Sequence, residues 1–301
     1  MSKLRRTMLF IPGNDPGKLQ SAGIYRSDCL VFDLEDSVSV NEKDAARILV
    51  RNAIMYIEYP SEIGVRINGL DTSYGRDDLA TILPAKPAFI RLPKAEKVDD
   101  IQELDRIISA AERKYQFQSG TIKIVLTIET AKGILSAYHL AVASPRVIGI
   151  GMGAEDLVAD LKGSRTREGN ELLFAKSQIL YAARAAGVQA IDNVFSDVND
   201  EEGFREDTNW GRILGYDGKS VIHPNHIPIV HEIYAPSEKE IDLAKNVLAA
   251  YQEAVQNKSG VIALNGKMID GPVVTRAERV MQYARALGMI REEYSYEKCC
   301  G

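Results

Sequence analysis

Three apolar runs in this chain end in carboxylates: LVFDLED (Leu30 to Asp36), IKIVLTIET (Ile122 to Thr130) and RVIGIGMGAED (Arg146 to Asp156). Apolar, β-branched runs of this length read as parallel strands covered on both faces. Acids just past such strands gather at the carboxyl edge of the sheet, where α/β proteins build their sites. Converging acids repel one another, and a hard divalent cation relieves that repulsion. Glu129 and Asp156 close neighbouring runs and are the candidate metal ligands. Two carboxylates leave most of an octahedral shell to water and substrate, which suits Mg²⁺. Glu155 competes with Asp156 for the role. Glu35 and Asp36 end the second strand, where Asp36 can hydrogen-bond metal-held waters. The plainer alternative is that these acids cap the helices starting near Ala131 and Leu157, or form local ion pairs.

Cations lie on the same rim. Arg66 ends VRING, and Arg91 and Lys94 bracket the end of IRLPK. A guanidinium grips a carboxylate as a fork, so basic groups here suit an anionic substrate. The competing reading of Arg66 is an ion pair to the acid cluster. Lys94 has the chemistry for a Schiff base, but a solvated loop lysine is the simpler expectation. Gly149, Gly151 and Gly153 form GxGxG, not the GxGxxG of a dinucleotide site. Both this run and Pro12 to Lys18 read as tight turns where backbone approaches a ligand or a helix. His223-Pro224-Asn225-His226 lacks a third metal ligand and reads as rim packing.

Eight candidate strands position these groups: Thr7–Ile11, Cys29–Leu34, Gly64–Ile67, Ala88–Leu92, Ile122–Ile128, Val147–Ile150, Ala190–Val194 and Ser220–Ile222. Helical periodicity lies between them at Glu42 to Tyr56, Val98 to Tyr115 and Gly169 to Ala186, with Gly187 as a stop. This alternation predicts an α/β chain forming a (β/α)8 TIM barrel, with an open doubly wound sheet as runner-up. Helices over Ser237 to Gln256 and Val274 to Leu287 follow, joined by a loop. Residues 1–235 are therefore expected to form the barrel. Residues 236–301 are expected to be a C-terminal helical cap or lid, or an arm to a neighbouring subunit, too small to fold alone.

The chain carries 37 basic and 42 acidic residues, a net charge of −5. That is not the footprint of a nucleic-acid binder. No apolar run approaches the roughly 20 residues of a membrane span. The basic, then apolar, N-terminus is cut short by Pro12-Gly13, so it reads as a first strand rather than a signal peptide. A cytoplasmic enzyme is expected. Cys29, Cys299 and Cys300 make no disulfide framework.

The motif order is specific. MLFIPGN (Met8–Asn14), FDLEDSV (Phe32–Val38), VRINGLDT (Val65–Thr72), RLPK (Arg91–Lys94), IET (Ile128–Thr130), GAEDL (Gly153–Leu157), GKSVIHP (Gly218–Pro224) and NGKMIDGP (Asn265–Pro272) follow one another. Over residues 4 to 294 this resembles the citrate lyase β-subunit family, within the HpcH/HpaI aldolase/citrate lyase group that includes malyl-, citramalyl- and citryl-thioester lyases. The resemblance implies a barrel using Mg²⁺ on Glu129 and Asp156, with Arg66 and Glu129 facing substrate. It implies that Asp270 is an acid/base group on a lid, entering a neighbouring subunit's site in an assembly such as a trimer. Spacing alone reads that segment as a simple turn. The implied reaction is retro-Claisen cleavage of a citryl thioester, on an acyl carrier or on CoA, to oxaloacetate and an acetyl thioester. The implied partners are the citrate lyase α subunit and the acyl-carrier γ subunit. Arg5 and Arg6 are candidates for the phosphate of a pantetheine-type arm. The alternatives are a malyl- or citramalyl-CoA lyase and a non-catalytic assembly subunit. Loss of the metal acids would mark the last, and both are present.

Overall fold

The structure is a computed structural model that describes residues 3–256, 263–264 and 267–290. Eight parallel strands close into a barrel in chain order: β1 Thr7–Pro12, β2 Cys29–Asp33, β3 Glu62–Arg66, β4 Phe89–Leu92, β5 Lys123–Ile128, β6 Val147–Met152, β7 Gln189–Asp192 and β8 Gly218–Val221. β8 pairs with β1, which removes any open edge. The barrel expectation therefore holds, and the doubly wound sheet is excluded.

Alternation along each strand sends one set of side chains inward. Met8, Cys29, Val31, Phe89, Val125 and Ile191 pack together there, flanked by Phe10 and Ile148. The other set meets the surrounding helices: α1 Pro16–Ser21, α2 Lys43–Tyr56, α3 Gly75–Ile82, α4 Val98–Lys114, α5 Ala131–Ala141, α6 Ala154–Asp160, α7 Leu173–Ala186, α8 Glu201–Leu214 and α9 His226–Tyr234. Gly187 stops α7 in a left-handed cap (φ 70°), as the sequence predicts. α8 buries Gly203, Phe204, Thr208 and Gly211, a face with a single large apolar side chain. Ionic contacts supplement it. Lys219 of β8 and Lys176 of α7 each reach Asp192 of β7, at 3.0 and 3.1 Å, and Asp207 of α8, at 2.5 and 2.9 Å. Each buried charge in this quartet has an opposite neighbour, the condition under which burial is tolerated.

The chain divides into two compact units, Met1–His231 and Glu232–Gly301. The second carries α10 (Glu238–Gln256), a two-stranded pairing of β9 (Ala263–Leu264) with β10 (Lys267–Met268), and α11 (Gly271–Ala286). Ile241, Ala244, Val247 and Leu248 of α10 pack with Val274, Ala277, Met281 and Ala284 of α11, so this unit has its own apolar core. Cys299 and Cys300 lie outside the described residues, as do Asn265 and Gly266 of the NGKMIDGP segment. Cys29 is buried and free.

Candidate active site

The carboxyl ends of the strands bring the acids together. Glu129 follows β5 directly and is only 2% exposed. It does not cap α5. Thr130 does that, accepting a hydrogen bond from the Gly133 N–H at 3.1 Å, while Asp160 accepts from the Ala131 N–H at 2.7 Å. Glu129 Oε1 instead accepts from the backbone N–H of Lys94, at 2.7 Å. Lys94 holds φ at 48°, a left-handed conformation that a side chain disfavours. That turn aims its N–H at the Glu129 carboxylate.

Asp156 lies in the first turn of α6, whose cap is Gly153 with no side-chain cap bond. A Cβ at Gly153 would stand 2.1 Å from Glu129 Oε2. The bare glycine thus lets the buried carboxylate press against the start of the helix that carries Asp156. Glu155 is turned away, pairing with Arg165 at 3.1 Å. Burial, with Glu35 and Asp156 adding like charge, pushes Glu129 up to about 7. Neither Glu129 nor Asp156 serves as a helix cap, which sets aside the capping alternative.

Arg66 ends β3 and is almost wholly engaged by acids. Its Nε and Nη2 donate to Asp33 Oδ1 and Oδ2, both at 2.7 Å. Nη1 stands 3.1 Å from Glu35 Oε2 and 3.5 Å from Asp36 Oδ2. The ion-pair reading of Arg66 is therefore observed. Asp33 went unassigned in the sequence, although it shares the inward parity of Cys29 and Val31 and is in register with Arg66. Burial, foremost, pushes the Glu35 carboxyl up to about 7 against the pull of Arg66. Lys94 Nζ reaches Glu35 Oε1 at 3.4 Å. Lys94 is thus a member of the acid cluster rather than a free loop lysine.

Phe10, Pro12, Asp33, Asp36, Ser37, Arg66, Val194 and Ile222 line a cleft of about 400 Å³ at this end of the barrel. Gly149, Gly151 and Gly153 are not a turn. The first two are β6 strand residues, and a Cβ at Gly151 would come within 3.2 Å of Arg91. Arg91 is not on the rim but buried inside the barrel, at 1% exposure. Arg5 and Arg6 precede β1, at the opposite end of the strands. They pair with Glu62 at 2.6 Å and Asp28 at 2.8 Å, so a phosphate role there is withdrawn. His226 stacks on Phe204, with centroids 3.8 Å apart, in keeping with rim packing. Asp270 sits in the second unit. It is exposed and caps α11 by accepting from the Val273 N–H at 3.2 Å.

Residues 6–224, which span all eight strands, match the family described as HpcH/HpaI aldolase/citrate lyase. The chain belongs to that family. A relative named citrate lyase subunit beta, from Leuconostoc mesenteroides subsp. cremoris, is 48% identical over 98% of each chain. A (3S)-malyl-CoA thioesterase of Cereibacter sphaeroides (strain ATCC 17025 / ATH 2.4.3) is 34% identical, covering 94% of this chain and 95% of its own. Among solved structures, the protein CitE of Mycobacterium tuberculosis in complex with magnesium, acetoacetate and coenzyme A superposes with a TM-score of 0.78. It is 32% identical and covers 95% of this chain and 100% of its own. The family assignment and the barrel agree.

The residues present suit a hard cation. Five acids, Asp33, Glu35, Asp36, Glu129 and Asp156, face three cations, Arg66, Arg91 and Lys94, an excess of two charges once all five are ionised, and a bound cation favours that ionisation. Among the described residues, no group of three or more His, Cys, Asp or Glu forms a metal cage. An oxygen-only site with few protein ligands is how Mg²⁺ is commonly held, and not how zinc is.

Proposed function

We propose that the chain is the β subunit of citrate lyase, a Mg²⁺-dependent carbon–carbon lyase that cleaves a citryl thioester to oxaloacetate and an acetyl thioester. One observation carries the reading. Glu129 and Asp156, at the ends of neighbouring strands, are both left out of helix capping and press on one another electrostatically. They would hold the magnesium, and Glu35 and Asp36 would hydrogen-bond its waters. Bound there, the metal supplies Lewis acidity that makes a citryl hydroxyl easier to deprotonate.

The chain's own residues supply the rest. The substrate hydroxyl gives its proton to a carboxylate of the cluster, Glu35 or Asp36, the C–C bond breaks, and an enolate of the thioester forms beside the new ketone. Arg66 is held fixed by Asp33, so it offers positive charge to the enolate with no reorganisation, the condition for strong electrostatic catalysis. Its Nη1 has the longer contacts, and that is the edge for which a substrate carboxylate competes. Glu129 faces the substrate from the β5 end. Asp270, carried by the second unit of this or a neighbouring copy, protonates the enolate carbon. The acyl group travels on the carrier γ subunit or on CoA, and the α subunit completes the assembly. The reading includes a homo-oligomer, a trimer being one such arrangement. Among the described residues, no helix is long and apolar enough to cross a membrane, and we place the enzyme in the cytoplasm.

The likeness to the (3S)-malyl-CoA thioesterase makes free malyl-CoA a rival substrate, and the second reading is a lyase acting on free malyl- or citramalyl-CoA. The deciding experiment offers the purified chain citryl-carrier, citryl-CoA, malyl-CoA and citramalyl-CoA with and without EDTA. Mg²⁺-dependent release of oxaloacetate from a citryl thioester is the expected result. Preference for malyl- or citramalyl-CoA, or turnover unaffected by EDTA, overturns the proposal.

A further inference from the structure

Arg91 is a buried charged group of the barrel interior that the reaction above does not use. It is fully buried, yet it has no carboxylate within ion-pair distance among the described residues. Its Nε donates to Thr127 Oγ1 at 2.8 Å. Its two Nη groups have only long contacts, to Ser220 Oγ at 3.4 Å and, for Nη1, to Met8 Sδ at 3.5 Å. A guanidinium has five N–H donors, and a buried cation normally meets an acid. The surroundings are shaped for this one. Gly151 of β6 leaves the space that Nη2 occupies. β1, β5 and β8 each supply a soft or neutral contact rather than a charge. Thr127 is one inward-facing position below Glu129, so Arg91 lies in the layer beneath the metal ligand.

The Phe10 ring links this cation to the site. The Arg91 guanidinium carbon is 4.8 Å from the ring centroid, and that of Arg66 is 5.0 Å away. Arg66 and Arg91 are also register partners on adjacent strands. Phe10 lines the cleft, so one aromatic face or edge serves both arginines and the ligand space.

We propose that Arg91 is a positioning residue for the lyase reaction: it anchors Phe10, against which Arg66 rests, and its fixed charge beneath the acid cluster steadies the anion formed as the C–C bond breaks. The inference rests on the lyase reading. Asp33 holds Arg66 from one side through its fork, and the Phe10–Arg91 pair holds it through the ring. Arg91 feels the charges of Glu129 and Asp33 but is in direct contact with neither, so it also acts at longer range on whatever anion the mouth contains. The effect is larger for the concentrated charge of the enolate than for a ground-state carboxylate that already has its own partners, so it belongs to kcat more than to KM.

The test is steady-state cleavage of a citryl thioester by the full chain as wild type, Arg91→Met, Arg91→Lys and Phe10→Leu, with oxaloacetate binding measured by calorimetry. Arg91→Met is expected to lower kcat by about 10²-fold while KM and the oxaloacetate Kd stay within about threefold. Arg91→Lys keeps the charge and is expected to recover to within about tenfold of wild type. A rise in KM or Kd alone, equal losses for Met and Lys, or kcat of Arg91→Met within about twofold of wild type overturns the proposal. Should Arg91→Met not fold, Phe10→Leu decides. A tenfold or larger drop in kcat, on the order of one lost transition-state contact, supports the link to Arg66, and unchanged kcat overturns it. Wild type that cleaves no citryl thioester overturns the lyase reading, and this inference with it. An active wild type with an indifferent Arg91 overturns this inference alone.

Discussion

Asp33 and Arg66 face each other across β2 and β3 in register, joined by two parallel hydrogen bonds of 2.7 Å. The pair is almost wholly buried, with side-chain exposures of 2% and 14%. Burial opposes ionisation of Asp33, yet the Arg66 guanidinium holds its carboxyl below the usual range. Arg66 is thus an aimed cation whose aim depends on a residue that never needs to touch substrate.

Replacing Asp33 with Asn keeps the shape and removes the charge. Breaking one side of a buried pair costs about 3–5 kcal/mol, and the neutral amide retains part of the hydrogen bonding. The expected outcome is a loss of roughly 2–4 kcal/mol in urea unfolding, with kcat down by about 10²-fold as Arg66 loses its orientation. Full activity at reduced stability would show that Arg66 needs no such anchor.

Asp156 and Glu155 are adjacent, but only Glu155 is tied to Arg165. Asp156→Asn is expected to abolish Mg²⁺-dependent cleavage and to weaken Mg²⁺ binding in a calorimetric titration. Glu155→Gln should leave both within about threefold, in the range of an exposed ion pair. A reversed ranking of the two variants would move the metal ligand to Glu155.

Gly153→Ala places a methyl group 2.1 Å from Glu129 Oε2 and 2.8 Å from Glu129 Cβ. Glu129 must move, because the helix start behind Gly153 is backbone. Displacing Glu129, the proposed metal ligand, by even an ångström is expected to cost about 10²-fold in rate. The thermal midpoint should fall only modestly, because the clash is with one side chain. Wild-type Mg²⁺ affinity in this variant would count against Glu129 as a ligand.

His226 supplies the pH dependence. Its ring is 3% exposed, and neither ring nitrogen has a hydrogen-bond partner among the described residues. Burial, then His223 and Lys219, lower it to about 4. Between pH 6.5 and 4 the unfolded chain takes up this proton and the native ring does not, so stability falls on acidification and is unaffected above pH 6.5. Glu35 and Glu129, both raised to about 7, act in the opposite sense, since the native state binds their protons first. His226→Phe keeps the stack on Phe204 and leaves those acids in place. The variant should therefore lose roughly 1–2 kcal/mol less than wild type between pH 8 and pH 5 in denaturant titrations. Equal losses would mean that the ring gains its proton while folded.

The eight strands lie within two residues of where the apolar runs place them, because a barrel strand buried on both faces can be little else. The helices were less legible. α8 packs through glycines, Phe204 and Thr208 with ionic contacts beside them, so its buried face offers a single large apolar side chain. Glu129, Asp156 and Arg66 stood out as charged residues at strand ends. Asp33 was readable from parity but was passed over for the acids after it. The β6 glycines misled, since their purpose is the room they leave for Arg91 and Glu129, which a sequence does not display. The left-handed turn at Lys94 was equally hidden, because lysine carries no mark of that conformation.

Thr130 and Asp160 close the start of α5, while Glu129, one residue before it, is left to the site. Helix termination and reactivity are thereby assigned to different side chains. A lineage can alter the residues around the cleft in search of a new thioester without first unravelling the helices behind them. In a fold reused across many carbon–carbon chemistries, such separation lets selection try new substrates on an unchanged frame.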